Sequence, residues 1–304
     1  MRTNYTMYYS VADHLFAIEA SAAQEALLTN YAPFRFSQEG PCAPLFTIHV
    51  QDASMPSADG WDHVYTDTSD EDMPRIEMYK RPGEWLFRVS VSKEGEIVST
   101  MVCSDDWREV QLYMMPEYVR FAIDNAAMLV YAFATVHLHT LLFHSSVTVY
   151  GGLGYMFLGH SGTGKSTHSR QWKKAFPSAE LLNDDNPVVR ILPDSSVRVY
   201  GSPWSGKTPC YRNADAPVAA LVQLEQAPLN RISALRMTQA YPYILASVSG
   251  IKVLPDMMDA LYASIARLLE LKTVYKLECL PNEEAAQLCA RTCSPSLCHT
   301  DNSL

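Results

Sequence analysis

Gly159-His160-Ser161-Gly162-Thr163-Gly164-Lys165-Ser166 matches the pattern G-x-x-x-x-G-K-[ST] at every fixed position. Each residue type in it answers a physical need. Glycines at 159, 162 and 164 admit backbone conformations closed to residues with side chains, and they bring N–H groups against phosphate oxygens. The Lys165 ammonium reaches β and γ phosphates, and the Ser166 hydroxyl supplies an oxygen ligand to magnesium. ATP or another nucleoside triphosphate and Mg2+ are therefore the expected cofactors, with His160, Ser161, Thr163 and Thr167 completing the cradle.

Magnesium needs a second hard ligand, and phosphoryl transfer to a hydroxyl needs a proton acceptor. Asp184 and Asp185 follow the apolar pair Leu181-Leu182 at the end of a strand-like run. Adjacent carboxylates on a strand point in different directions, so one can hold the metal while the other takes the proton; which does which stays open here. Alone, Asn183-Asp184-Asp185-Asn186-Pro187 would read as a polar turn, but beside a phosphate loop it reads as the metal and base set. A second loop, Gly201-Ser202-Pro203-Trp204-Ser205-Gly206-Lys207, follows another strand-like run. Lys207 is expected to neutralise charge on the transferred phosphoryl group, the plainer reading being a surface turn anchored by Trp204. Arg212 and Arg231 are weaker candidates, because isolated arginines usually belong to the surface.

The elements that must position these groups can be read from the pattern. An apolar strand at 155–158 precedes the phosphate loop, and a helix from 166 to about 176 follows it, with its positive end at the loop. Further strands are expected at 144–150, 188–192, 197–200, 218–224 and 273–277, and helices at 238–246, 255–269 and 282–291. The first third alternates in the manner of strands at 7–11, 15–18, 45–50, 75–79, 85–91 and 97–103, with acidic turn-rich pieces between. It reads as a mostly antiparallel β domain of unknown role. Pro116 and Glu117 open a long helical pattern that runs to about His139. The chain is thus expected to be mixed α/β (α+β), with a β-rich domain at 1–114, a nucleotide-binding domain at 115–291 and a flexible tail at 292–304.

Composition narrows the partners. A chain of 304 residues with 48% hydrophobic and 19% charged residues is globular. A net charge of -9 gives no general attraction to nucleic acid or to an anionic membrane. The start of the chain lacks the basic and apolar regions of a secretory leader, and the apolar stretch 122–143, interrupted by Asp124, Asn125, His137 and His139, reads as a buried helix. Seven cysteines without regular spacing fit reduced thiols, so a bacterial cytoplasmic location is expected. Cys289, Cys293, Cys298 and His299 cluster near the end, but without a CxxC pair they are not read as a metal site.

In combination, His144, Val147, Val149-Tyr150-Gly151, Gly154, the phosphate loop and the Asp-Asp pair resemble the catalytic domain of bacterial HPr kinase/phosphorylase. In that family a histidine-bearing strand leads by the same spacing into G-D-S-G-x-G-K-S, and an insertion of two residues accounts for the wider gap from Lys165 to Asp184. The resemblance covers about 141–224 and not the first hundred residues. It implies the P-loop fold shared with ATP-dependent phosphoenolpyruvate carboxykinase, with Lys165 and Ser166 on phosphates and metal, Asp184 and Asp185 as metal ligand and base, and His144 as an auxiliary group near the transferred phosphoryl. His160 and Thr167 stand where the family has acids, which argues against its reverse, phosphorolytic reaction. The expected activity is a kinase-like phosphotransfer to a hydroxyl of a protein, peptide or small molecule, and assembly with further copies of the chain is left open. Simple ATP hydrolysis and a non-catalytic nucleotide-binding partner module are the alternatives, the latter having no use for a base.

Overall fold

The computed structural model describes residues 4–37, 43–67, 74–206, 208–250 and 252–294. It is a mixed α/β chain with two multi-stranded mixed sheets, of the general α+β class. Two compact units divide the chain: Met1–Thr135 with Gly250–Pro255, and Val136–Ser249 with Asp256–Leu304.

In the first unit, strands β1 (Tyr5–Val11), β2 (His14–Ala20), β3 (Thr47–Val50), β4 (Asp62–Asp67), β5 (Ile76–Arg81), β6 (Glu84–Ser90), β7 (Ile97–Ser104) and β8 (Glu109–Met114) form one sheet in the order β1-β2-β3-β8-β7-β6-β5-β4. A one-turn helix, α1 (Ala22–Glu25), follows β2, and α2 (Val119–Thr135) closes the unit. Pairing is antiparallel except at β3, which runs parallel to both neighbours. Strands β4 and β8 lie beyond the alternating runs legible in the sequence. Strand β4 is half exposed and carries no clean period of two, whereas β8 buries Val110 and Leu112 in alternation.

Alternation buries Met7, Tyr9 and Val11 on one side of β1. Helix α2 packs on β7 and β8, where Phe133 meets Trp107 at 4.3 Å between ring centroids and the Tyr131 hydroxyl donates to the Val11 carbonyl at 2.9 Å. This helix, expected at the head of the nucleotide-binding domain, therefore groups with the β-rich unit, because its apolar stripe covers that sheet. By length and composition alone Pro116–Leu138 could cross a membrane, and more than half of that apolar window is buried inside the protein.

The second unit carries β9 (Thr140–Leu142), β10 (Ser145–Tyr150), β11 (Leu153–Leu158), α3 (Lys165–Ala175), β12 (Glu180–Asp185), β13 (Val188–Ile191), β14 (Val197–Tyr200), β15 (Asp215–Gln226), β16 (Arg231–Ala234), α4 (Met237–Ser247), α5 (Pro255–Leu271), β17 (Val274–Cys279) and α6 (Glu283–Cys293). Its sheet runs β12-β10-β11-β15-β14-β13-β9, with β17 joined to β15 and β16 to β17. Successive residues of β11 feed opposite faces. Tyr155 and Phe157 join Trp172 of α3 and Cys289 of α6 in one core, while Met156 and Leu158 join Ile244 of α4 and Ile265 of α5 in another. That two-sided burial makes β11 a continuous apolar run. Trp172, fully buried, lies 4.5 Å from the Tyr155 ring and fixes α3 on the sheet. Helix α6 extends to Cys293, two residues past the expected domain end at 291, and residues 295–304, including Cys298 and His299, lie outside the described part. No cluster of three or more His, Cys, Asp or Glu side chains placed to hold a metal occurs among the described residues.

In the first unit His49 on β3 bridges Glu19 of β2 at 2.7 Å and Glu109 of β8 at 2.8 Å. Burial opposes a charge on His49, but the bonds to Glu109 and Glu19 outweigh it and raise its pKa. A histidine whose folded pKa lies above its unfolded value stabilises the fold fully below the unfolded value and loses that contribution as pH rises through the folded one. Thermal melts of the parent and His49→Gln should therefore differ more at pH 5.5 than at pH 8.5; a gap independent of pH would exclude a charged His49.

Candidate functional site

The phosphate loop leaves β11 at Leu158 and enters α3 at Lys165. Gly159, Gly162 and Gly164 have φ of 148°, 77° and 104°, a region that L side chains rarely adopt, so these positions require glycine. Gly164 at the N-cap has no side chain to occupy the first amides of α3, which are thereby free for an anion. Thr163 braces the loop by donating from its backbone N–H at 3.2 Å and its hydroxyl at 2.7 Å to the His160 carbonyl. The Lys165 ammonium donates to the Gly159 carbonyl at 2.8 Å and to the His160 carbonyl at 3.2 Å. Burial pulls the Lys165 pKa down, while Asp185 and Asp184 act to raise it. Thr167, next on the helix, accepts from Arg170 at 3.1 Å.

The acidic pair continues β12 rather than forming a turn, since β12 pairs antiparallel with β10 and sets Asp184 opposite Ser146 and Asp185 opposite Ser145. Asp184 is buried, and one of its carboxylate oxygens accepts from the Ser166 hydroxyl at 3.0 Å. Two oxygen ligands on adjacent corners of an octahedral magnesium with bonds near 2.0–2.1 Å lie about 2.9 Å apart, so Ser166 and Asp184 fit such an ion. Asp185 takes a φ of 138°, rare for a residue with a side chain. Its Oδ1 lies 3.1 Å from His144 Nδ1, and its Oδ2 accepts from Asn186 at 2.9 Å.

His144 is therefore held at both ring nitrogens. The Lys165 ammonium has no lone pair, so it donates to Nε2, at 2.9 Å, and the proton of a neutral ring sits on Nδ1 facing Asp185. The backbone N–H of His144 donates to the Ser247 carbonyl at 2.7 Å. Asp185, His144 and Lys165 thus form a polar chain that ends at the phosphate loop.

The second loop packs against the same strand end. Gly206 N–H donates to the Asp184 carbonyl at 2.8 Å, Ser205 forms an isolated bridge with Asp185, and a Cβ at Gly206 would meet the Asp185 side chain at 3.1–3.3 Å. Buried Trp204 anchors the loop. Lys207 lies outside the described residues. Arg231 pairs with Glu278 and Arg212 with Glu180.

Two cavities flank the start of α3. One, of about 550 Å³, is lined by Gly162, Gly164 and Thr167 together with the apolar Leu224, Pro228 and Leu280. The other, of about 390 Å³, lies between α3 and β12. Sequence reasoning missed Gln226, at the end of β15, whose amide donates to the Gly162 and Thr163 carbonyls at 3.2 and 3.4 Å. Nothing local marks it, because it reaches the loop only through the parallel pairing of β11 with β15. It also missed His168, which accepts from the Trp172 indole at 3.0 Å and whose pKa burial lowers to about 4, leaving a neutral ring beneath the loop.

No family model matches the chain, and no curated protein matches it. The polar chain can be tested directly. Long-range 15N–1H NMR of His144 should show the Nδ1–H tautomer in the parent and also in Asp185→Asn, where Nε2 still faces the Lys165 ammonium; an Nε2–H ring in either protein would refute this arrangement.

Proposed function

We propose that the chain is an ATP- and magnesium-dependent, kinase-like phosphotransferase of the bacterial cytoplasm that moves a γ-phosphoryl group to a hydroxyl. One observation carries the reading: Lys165, Ser166, Asp184, Asp185 and His144, spread over more than forty residues of sequence, come together at the open N-terminus of α3. A site that only held a nucleotide would need the loop and not the Asp185–His144 pair. The arrangement also supports kinship with the HPr kinase and phosphoenolpyruvate carboxykinase fold.

In this reading the loop amides and Lys165 would bind β and γ phosphates, and the apolar cavity beside Gly162 and Thr167 would take the nucleoside. Ser166 and Asp184 would hold magnesium, which when bound would neutralise charge on the phosphate oxygens. With Asp184 so engaged and both carboxylate oxygens of Asp185 turned onto His144 and Asn186, the base falls to His144. An ammonium drawn onto phosphate oxygens releases His144 Nε2, and Asp185 on Nδ1 orients the ring and stabilises the imidazolium that forms. The acceptor oxygen bonds to the γ phosphorus, the bond to the β–γ bridging oxygen breaks, and the hydroxyl proton passes to Nε2.

Lys165→Ala should weaken Mg·ATP binding by about 2–4 kcal/mol, roughly 30- to 1,000-fold in Kd. By contrast, His144→Gln and Asp185→Asn should keep Mg·ATP affinity within about threefold while kcat falls roughly 10²- to 10⁴-fold. Titration calorimetry and transfer of label from γ-labelled ATP into a host lysate read the two quantities. Full transfer by both His144→Gln and Asp185→Asn would sink the catalytic assignment, and phosphate release that no acceptor increases would point to hydrolysis.

A further inference from the structure

The cavity between α3 and the edge strand β12 has a buried floor of Thr148, Ser169 and Asp184 and an exposed rim of Arg170, Lys173 and Arg212. One end is formed by Ser166 and Asp184, the oxygen pair matched to magnesium. Lys173 lies seven residues farther along α3, about 10 Å at the helical rise. The cavity therefore runs from the phosphoryl end of the site along the flank of the helix, away from the hollow that suits the nucleoside.

Its charge is unusual for this protein. Three cations meet Glu180 and Asp184, and Asp184 faces the metal position, whereas the chain as a whole carries -9. The cations are fixed in place. Arg212 donates to Glu180 at 2.6 Å and to the Leu181 carbonyl at 2.9 Å, and its own carbonyl sits so close to Gly201 that a Cβ there would meet it at 1.9 Å. Lys173 donates to the Pro177 carbonyl at 2.7 Å, and Arg170 to Thr167 at 3.1 Å. An ammonium has three N–H donors and a guanidinium five, so each retains donors beyond these bonds. On the floor, the buried Thr148 hydroxyl has no hydrogen-bond partner.

We propose that this cavity binds the acceptor, and that the acceptor is a hydroxyl compound carrying a carboxylate or phosphate group. The anion rests on Arg170, Lys173 and Arg212, and the hydroxyl lies at the Asp184 end, within reach of the γ phosphate. This assignment rests on the phosphotransferase reading and adds the substrate class to it.

The test uses the full chain with γ-labelled ATP and magnesium in two arms. The carboxylate arm compares hydroxy acids and seryl peptides bearing a free C-terminal carboxylate with their amides. The phosphate arm compares sugar phosphates with the corresponding free sugars. Label should enter the charged member of one arm with kcat/KM at least about tenfold above its neutral partner. The double variant Lys173→Gln/Arg212→Gln should raise the acceptor KM at least about tenfold while Mg·ATP affinity stays within about threefold. Should that variant fail to fold, Arg170→Gln on the exposed rim carries the same expectation. Equal use of neutral compounds, an unmoved acceptor KM, or labelling of no charged compound by a chain that binds Mg·ATP overturns the proposal. A parent without affinity for Mg·ATP overturns the phosphotransferase reading itself, and this assignment with it.

Discussion

Neighbouring residues on a strand face opposite ways, yet Asp184 and Asp185 both serve one end of the second unit's sheet. The pairing of β10 with β12 holds Asp184 on the Ser146 side, against Ser166 of α3. Asp185 is turned by its φ of 138°, a conformation that costs on the order of 1–3 kcal/mol and persists only where the surroundings impose it. They do so here through Asn186, the Ser205 bridge and the close approach of Gly206. Because Asp185 is held there, His144 is held, and through His144 the Lys165 ammonium. The strained position thus helps orient one ring, whose tautomer the Lys165 ammonium sets.

The same groups answer an electrostatic problem. An acidic chain can attract a polyanion only through local features, and the open amides of α3, Lys165 and the cationic rim beside β12 are such features. Burial disfavours the Lys165 ammonium more than the two carboxylates favour it, so its pKa is lowered. The acids that would hold metal and orient the histidine act against that shift.

Much of this was legible in the sequence, for reasons that are local. The glycine spacing of the phosphate loop, the apolar run of β11 and the helix pattern after it are short-range features, and they mark Lys165 and Ser166 without a fold. The strands β1, β2, β5, β6 and β7 showed themselves by alternation. What escaped was set by distant pairing: β4 has a weak pattern, β12 continues through residues that alone favour a turn, and α2 joins the sheet it covers rather than the loop that follows it. Gln226 and the partner of His144 Nδ1 were invisible because each lies more than forty residues from its contact.

The sequence by itself determined the glycine-rich loop with its lysine and serine, the presence of two adjacent carboxylates and a histidine fifteen positions ahead of the loop, since spacing and residue type are properties of a linear chain. Only the tertiary structure decided which carboxylate faces Ser166 and which faces His144, and that a cationic cavity lies along α3. Those depend on strand register, a single unusual dihedral and the edge position of β12, and such geometry is fixed by long-range packing that no local window contains.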